Sequence, residues 1–186
     1  INYIFIPPAL LPSFPKTKYN TLQAIIYGGE PCDPESGKYW STNCKLYNYF
    51  GPTETTIYSI GKQVINGDTN LIGTPLDNTT CHVLDAHLNP LPIGAVGELY
   101  IGGVGLARGY LNKPELTAEK FISSPFIPSR LYKTGDLVRY HSDGVLEYIG
   151  RNDAQVKIRG YRIELAEIQS IITTYAGIRE CIVLVH

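Results

Sequence analysis

Lys45-Leu46-Tyr47-Asn48-Tyr49-Phe50-Gly51-Pro52-Thr53-Glu54-Thr55-Thr56 is the stretch on which the fold turns. Its first half is rich in aliphatic and aromatic side chains, the composition of a buried strand. Gly51-Pro52 stops the run, because glycine frees the backbone and proline removes an N–H. Three hydroxyls and a carboxylate follow at once. Upstream, residues 22–27 form another short apolar run, stopped by Gly28-Gly29, and residues 2–6 form a third, stopped by Pro7-Pro8. Residues 34–42 read as one helix. Strand, helix and strand with glycines at the strand ends is the pattern of a parallel α/β sheet, whose ligands gather at the carboxyl ends of its strands.

From residue 55 the texture changes. Strand-like runs at 55–65, 79–84, 97–101, 137–141 and 145–149 alternate with Gly, Pro, Asn and Asp turns. Ser142-Asp143-Gly144 between two of them signals a hairpin. This middle reads as antiparallel sheet, a small β-barrel-like unit. One helix interrupts it at 114–121, with Pro114 suited to its first turn. In the tail, Leu165, Ile168, Ile171, Ile172 and Tyr175 fall on one face of a helix over 164–175, and Gly177 suits its end. A strand is expected at 180–185. The fold class is therefore α/β in three parts. Residues 1–60 close a parallel α/β subdomain, 61–150 form the antiparallel unit, and 151–186 begin a small α+β subdomain. No methionine occurs in the 186 residues, so the chain reads as a segment of something longer.

Composition removes several classes of function. With 16 Lys and Arg against 17 Asp and Glu, the formal charge is −1, without the basic footprint of nucleic-acid or anionic-membrane binders. No apolar run approaches the roughly 20 residues of a membrane span. The first residues carry no basic n-region of a signal peptide. Cys32, Cys44, Cys81 and Cys181 show no C-x-x-C spacing and read as reduced thiols in a cytoplasmic protein.

Standard nucleotide motifs are missing. There is no G-x-x-x-x-G-K-[ST]. The glycines of Gly103-Val104-Gly105-Leu106-Ala107-Arg108-Gly109 are spaced one residue too long for a dinucleotide fingerprint, and read as turns and close strand packing. The corner after residue 50 carries more chemistry. Gly51 lets a backbone approach a ligand closely. Thr53, Thr55 and Thr56 can donate to phosphate oxygens, Glu54 is a hard ligand for Mg²⁺, and Phe50 offers a face to a base. The same residues would also make a capped turn. In Tyr132-Lys133-Thr134-Gly135-Asp136-Leu137, Asp136 follows a glycine kink and could take both hydroxyls of a ribose, though Thr-Gly-Asp is also a common turn. Residues 150–165 are thick with cations, as a binding segment or a solvated hairpin would be.

Together and in this order, these segments resemble the core motifs of the amino-acid adenylation domain of nonribosomal peptide synthetases, a branch of the adenylate-forming, AMP-binding enzymes. Gly97-Glu98-Leu99-Tyr100-Ile101-Gly102-Gly103 through Leu111, followed by Asn112-Lys113-Pro114-Glu115-Leu116-Thr117, resembles a further motif of that family. The likeness covers roughly residues 28–167. Acyl-CoA and aryl-acid ligases are related alternatives, as is a non-catalytic nucleotide-binding module.

The resemblance implies an ATP-dependent ligase that forms aminoacyl-AMP and loads the phosphopantetheine of a carrier protein. Thr53 would contact the α-phosphate and Glu54 would hold Mg²⁺. Phe50 would stack on adenine, with Gly28, Gly29, Glu30 and Gly51 along the nucleotide. Asp136 would take the ribose, helped by Arg151, with Tyr148 beside it. Phe5, Ile25, Tyr27, Tyr49, Ile57 and Tyr58 match positions lining the amino-acid pocket. Asp153 matches the hinge, and Gly160 and Arg162 match a loop facing the pantetheine. Implied partners are the amino acid, the peptidyl carrier protein and the condensation domains of a parent synthetase, with neither nucleic acid nor membrane. Phe50 and Ala166 depart from the family's usual Tyr and Gly. The family's phosphate loop and catalytic lysine would lie before Ile1 and after His186, so the chain alone is expected to be inactive.

Overall fold

A computed structural model describes residues 1–158 and 161–185. β1 (Tyr3–Phe5), β2 (Ala24–Gly28) and β3 (Lys45–Phe50) form from the three apolar runs and pair in parallel. α1 (Pro34–Asn43) makes the crossover between β2 and β3. Its start is fixed by Pro34 in the first turn and by the Asp33 carboxylate, which accepts the Ser36 N–H at 2.8 Å. Trp40 of α1 packs with Ile25, Tyr27 and Leu46 in the first core.

The chain then turns antiparallel through β4 (Ile60–Val64), β5 (Leu71–Pro75), β6 (Thr79–Leu84) and β7 (Gly97–Gly103). After α2 (Pro114–Lys120) come β8 (Phe121–Ser123), β9 (Arg130–Tyr140) and β10 (Leu146–Arg151). All ten join one sheet in the order β1-β2-β3-β4-β5-β10-β9-β7-β6, with β8 on β9. The order begins and ends on different strands, so the antiparallel part is an open sheet and not a closed barrel. β4 starts where a subdomain boundary was expected, yet it bonds to β3 on one side and β5 on the other. A second core of Ile60, Ile72, Leu99, Val138 and Leu146 fills the antiparallel half.

Three expectations are corrected. The run at 55–65 is a strand only in its second half. Its start is a 3₁₀ turn over Thr53–Thr55, followed by left-handed Thr56 and Ile57. β5 was missed because Gly73 and Pro75 read as turn residues; Gly73 adopts φ +107°. At the tail, β11 (Gln155–Ile158) and β12 (Tyr161–Glu164) form their own hairpin sheet, followed by α3 (Leu165–Ile172). Residues 180–185 form no strand, because no described strand lies beside them to complete a ladder. Ile171, Tyr175, Ile182 and Leu184 stay exposed.

Candidate functional site

The corner after β3 is fixed by its own chain. Ser59 N–H returns to the Phe50 carbonyl at 2.9 Å, and the Thr55 and Ser59 hydroxyls meet at 2.7 Å in a buried pair. A Cβ on Gly51 would lie 2.5 Å from the Ile57 carbonyl oxygen and 2.8 Å from the Ser59 nitrogen. The clearance read as room for a ligand is therefore taken by the returning turn. Thr56 and Ile57, at φ 63° and 71°, hold two consecutive side-chain-bearing residues in the left-handed region, at about 1 kcal/mol or more each.

Two adjoining clefts open beside this corner and share Gly29, Phe50 and Lys157. The first is also lined by Glu30, Asn48, Tyr49 and Tyr148. Gly28 precedes the lining residue Gly29, and a Cβ on it would collide with the Tyr49 carbonyl. Phe50 and Tyr148 bring their rings to 6.4 Å, and Lys157 holds its Nζ 5.7 Å from the Phe50 ring. Burial pushes the Tyr148 phenol up to about 12, so it stays a neutral hydroxyl at pH 7. The second cleft brings Gly51 and Thr53 together with Thr134, Asp136, Arg151, Gln155 and Arg162. A flat aromatic end thus leads to a polar end with hydroxyl, carboxylate and cations. This shape and chemistry suit a nucleoside phosphate.

Asp136 is nearly buried. Burial raises its carboxyl, and the charges of Arg151 and Lys157 oppose that rise. Arg151 Nη1 donates to Asp136 Oδ1 at 2.7 Å, and its other nitrogens donate to both Asp153 oxygens at 2.7 and 2.6 Å. The residues expected as ribose grip and as hinge therefore hold the same guanidinium. Gln155 Oε1 accepts from Arg151 at 3.2 Å and from Arg162 at 2.9 Å, linking the two arginines.

Thr53 lines the second cleft, whereas Glu54 lines a neighbouring one with Tyr110, Asp153 and Arg162. Tyr110 donates its hydroxyl to Glu54 Oε1 at 2.7 Å, and Arg162 Nη1 reaches both oxygens. Burial raises the Glu54 carboxyl, but the Tyr110 hydrogen bond and the Arg162 charge outweigh it and leave it below its ordinary value. Arg162, expected on a pantetheine-facing loop, sits on this carboxylate; Gly160 lies outside the described residues. No group of three or more His, Cys, Asp or Glu suited to a metal occurs among the described residues. One carboxylate is still enough where phosphates and water complete the shell, as Mg²⁺ prefers.

The residues matched to an amino-acid pocket are not all brought together. Tyr49 lines the first cleft, and Tyr58 packs on it with ring centroids 5.2 Å apart. Ile25 and Tyr27 are fully buried under α1 beside Trp40, while Phe5 and Ile57 are exposed. Sequence reasoning missed Lys157, Gln155 and Tyr110. No local pattern announces a partner 56 residues away, as Glu54 is from Tyr110.

An open α/β sheet with this crevice at its strand ends defines a nucleotide-site class of fold. More particularly, residues 5–111, over half of the chain, match the model of the AMP-binding enzyme family, and the chain belongs to that family. It is 49% identical to a linear gramicidin synthase of Brevibacillus parabrevis over 99% of this chain and 4% of that protein. It is 47% identical to bacitracin synthase 3 of Bacillus licheniformis over 99% of this chain and 3% of that protein. Among solved structures, an NRPS protein containing adenylation and PCP domains superposes with a TM-score of 0.88 at 28% identity, covering 100% of this chain and 40% of that one. The artificially fused adenylation–PCP di-domain NpsA-ThdA from Klebsiella oxytoca gives 0.83 at 26%, over 97% and 36%. The chain thus spans a small part of the synthetases it matches.

Proposed function

We propose that this chain is the nucleotide-gripping part of an amino-acid-activating ligase of nonribosomal peptide synthesis. The observation that carries the reading is the joined crevice in which Phe50 and Thr53 face Asp136, more than 80 residues further on. In the reaction, an amino-acid carboxylate oxygen bonds to the α-phosphorus of ATP and the bond to the bridging oxygen breaks, releasing pyrophosphate. A phosphopantetheine thiol of a carrier protein then attacks the acyl carbon, and AMP leaves. Neither step needs a protein nucleophile, so catalysis is positioning and charge neutralisation.

In this reading the base lies against Phe50 and Tyr148, and Asp136 accepts from the ribose hydroxyls. Thr53 donates to the α-phosphate, and Lys157 places a cation in the same crevice. Mg²⁺ bound at Glu54 would neutralise phosphate charge. Asp153 is the hinge, and Tyr49 with Tyr58 forms the part of the amino-acid pocket nearest the nucleotide. The expected partners are one amino acid, a carrier protein and condensation domains. No described helix is long and apolar enough to cross a membrane, and the free cysteines suit the reducing cytoplasm.

The test is amino-acid-dependent ATP–pyrophosphate exchange by a synthetase carrying this segment, assayed with each amino acid in turn. Exchange with one or a few amino acids is expected, and Asp136→Asn is expected to lower kcat/KM about tenfold or more. Exchange supported only by acyl or aryl acids would replace this reading with an acyl-CoA or aryl-acid ligase.

A further inference from the structure

β7 and β9 do not pair evenly. Glu98 lies opposite Leu137 and Tyr100 opposite Lys133, so β9 spends four residue steps where β7 spends two. The surplus is the bulge Thr134-Gly135-Asp136. A bulge takes backbone groups out of the ladder, and each buried one needs another partner. Here β7 supplies the partner of the Gly135 N–H, the bulge itself that of the Asp136 N–H, and Arg151 and Asn152 donate to the Thr134 and Gly135 carbonyls. Thr134 donates its hydroxyl to the Leu99 carbonyl at 2.7 Å and accepts the Asp136 N–H at 3.0 Å. Glu98 Oε1 accepts the Gly135 N–H at 3.0 Å. Gly135 itself is left-handed, at φ 77°.

Glu98 is an unusual tenant of a strand interior. Its side chain is only 11% exposed, and Lys133 is 3.9 Å away, at the limit of an ion pair. A carboxylate is costly to bury unless it is hydrogen-bonded. Its short partners are the bulge N–H and, more weakly, the Tyr100 hydroxyl at 3.5 Å.

We infer that Glu98 is a positioning residue: by holding the Gly135 N–H it fixes the bulge that aims the Asp136 carboxylate into the crevice. Glu98 is not among the residues that line the crevice. This gives a role to the strand of residues 97–103, which from sequence is only a motif of the family. The inference rests on the proposed reading of Asp136 as the ribose grip.

Competition between AMP and 2′,3′-dideoxy-AMP separates the two ideas. Binding of each to this 186-residue chain is measured by saturation-transfer NMR for the wild type, Glu98→Gln and Glu98→Ala. The wild type is expected to prefer AMP by about tenfold or more, because two hydroxyls donate to a carboxylate. Glu98→Gln keeps an acceptor oxygen and should keep the preference. Glu98→Ala should bind both nucleotides alike, with dideoxy-AMP affinity unchanged, and amide exchange at Gly135 should quicken. A general packing defect would weaken both nucleotides and leave their ratio alone, which would overturn the inference. Full preference retained by Glu98→Ala also overturns it and leaves the ribose reading standing. No preference in the wild type overturns the ribose reading and the inference with it.

Discussion

Arg162 places its Nη1 2.8 Å from one carboxylate oxygen of Glu54 and 2.9 Å from the other, joining residues 108 apart in the chain. The contact ties the β11–β12 hairpin to the corner after β3. The guanidinium takes up acceptor sites on both Glu54 oxygens and repels a divalent cation there, so hairpin docking and metal binding compete.

Removing the guanidinium should therefore open the metal site. Arg162→Gln is expected to bind Mn²⁺ about tenfold more tightly, measured by electron paramagnetic resonance of free Mn²⁺, since tenfold is one charge interaction of about 1.4 kcal/mol. The same variant should lose about 1–2 kcal/mol of stability in urea, less than a fully buried pair because Arg162 is partly solvated. Unchanged Mn²⁺ affinity would contradict the competition.

Tyr110 holds the other side of Glu54. Its segment is tied to the corner by the Ala107 N–H on the Glu54 carbonyl at 2.8 Å and by the Thr56 hydroxyl on the Gly105 carbonyl at 2.7 Å. Tyr110→Phe removes one charge-assisted hydrogen bond and little volume. The expected loss is about 1–2 kcal/mol in chemical denaturation. A neutral outcome would mean that water replaces the phenol.

Gly135→Ala tests the bulge from the inside. An added Cβ would lie 2.5 Å from Asp153 Oδ2 and 2.7 Å from Arg151 Nη2, in a backbone conformation that disfavours alanine. Destabilisation of about 1–3 kcal/mol is expected, together with weaker AMP binding. Wild-type AMP affinity in a folded variant would show that the Asp136–Arg151–Asp153 arrangement tolerates displacement.

Stability should fall in acid through Glu147. Arg139 Nε at 2.8 Å and His141 Nε2 at 2.7 Å share one of its oxygens, and these bonds, Arg139 first, hold its carboxyl below the ordinary value. A depressed carboxyl stabilises above the unfolded value, about 4.3, and that contribution disappears as pH falls through the folded value. Urea midpoints compared at about pH 6 and pH 3 should drop less for Glu147→Gln than for the wild type. Parallel drops would remove Glu147 from the acid response.

What was legible in the sequence was local. The three parallel strands, α1 and α2 announce themselves through apolar runs, glycine stops and proline starts, because those signals act within a few residues. β5 was illegible because its glycine and proline serve a paired strand. The turn at Thr56 and Ile57 was illegible because its conformation is enforced from Ser59 and Gly105. Phe50, Thr53 and Asp136 could be nominated from chemistry. That Glu54 would face Arg162 and Tyr110, or that Lys157 would lie near the Phe50 ring, follows only from how hairpin and sheet meet.

β5 is a shared seam. It hydrogen-bonds to β4 of the early chain and to β10 of the late chain, so the halves on either side have no free edge along which to part. Heat or denaturant should find a single cooperative unit across residues 3–151.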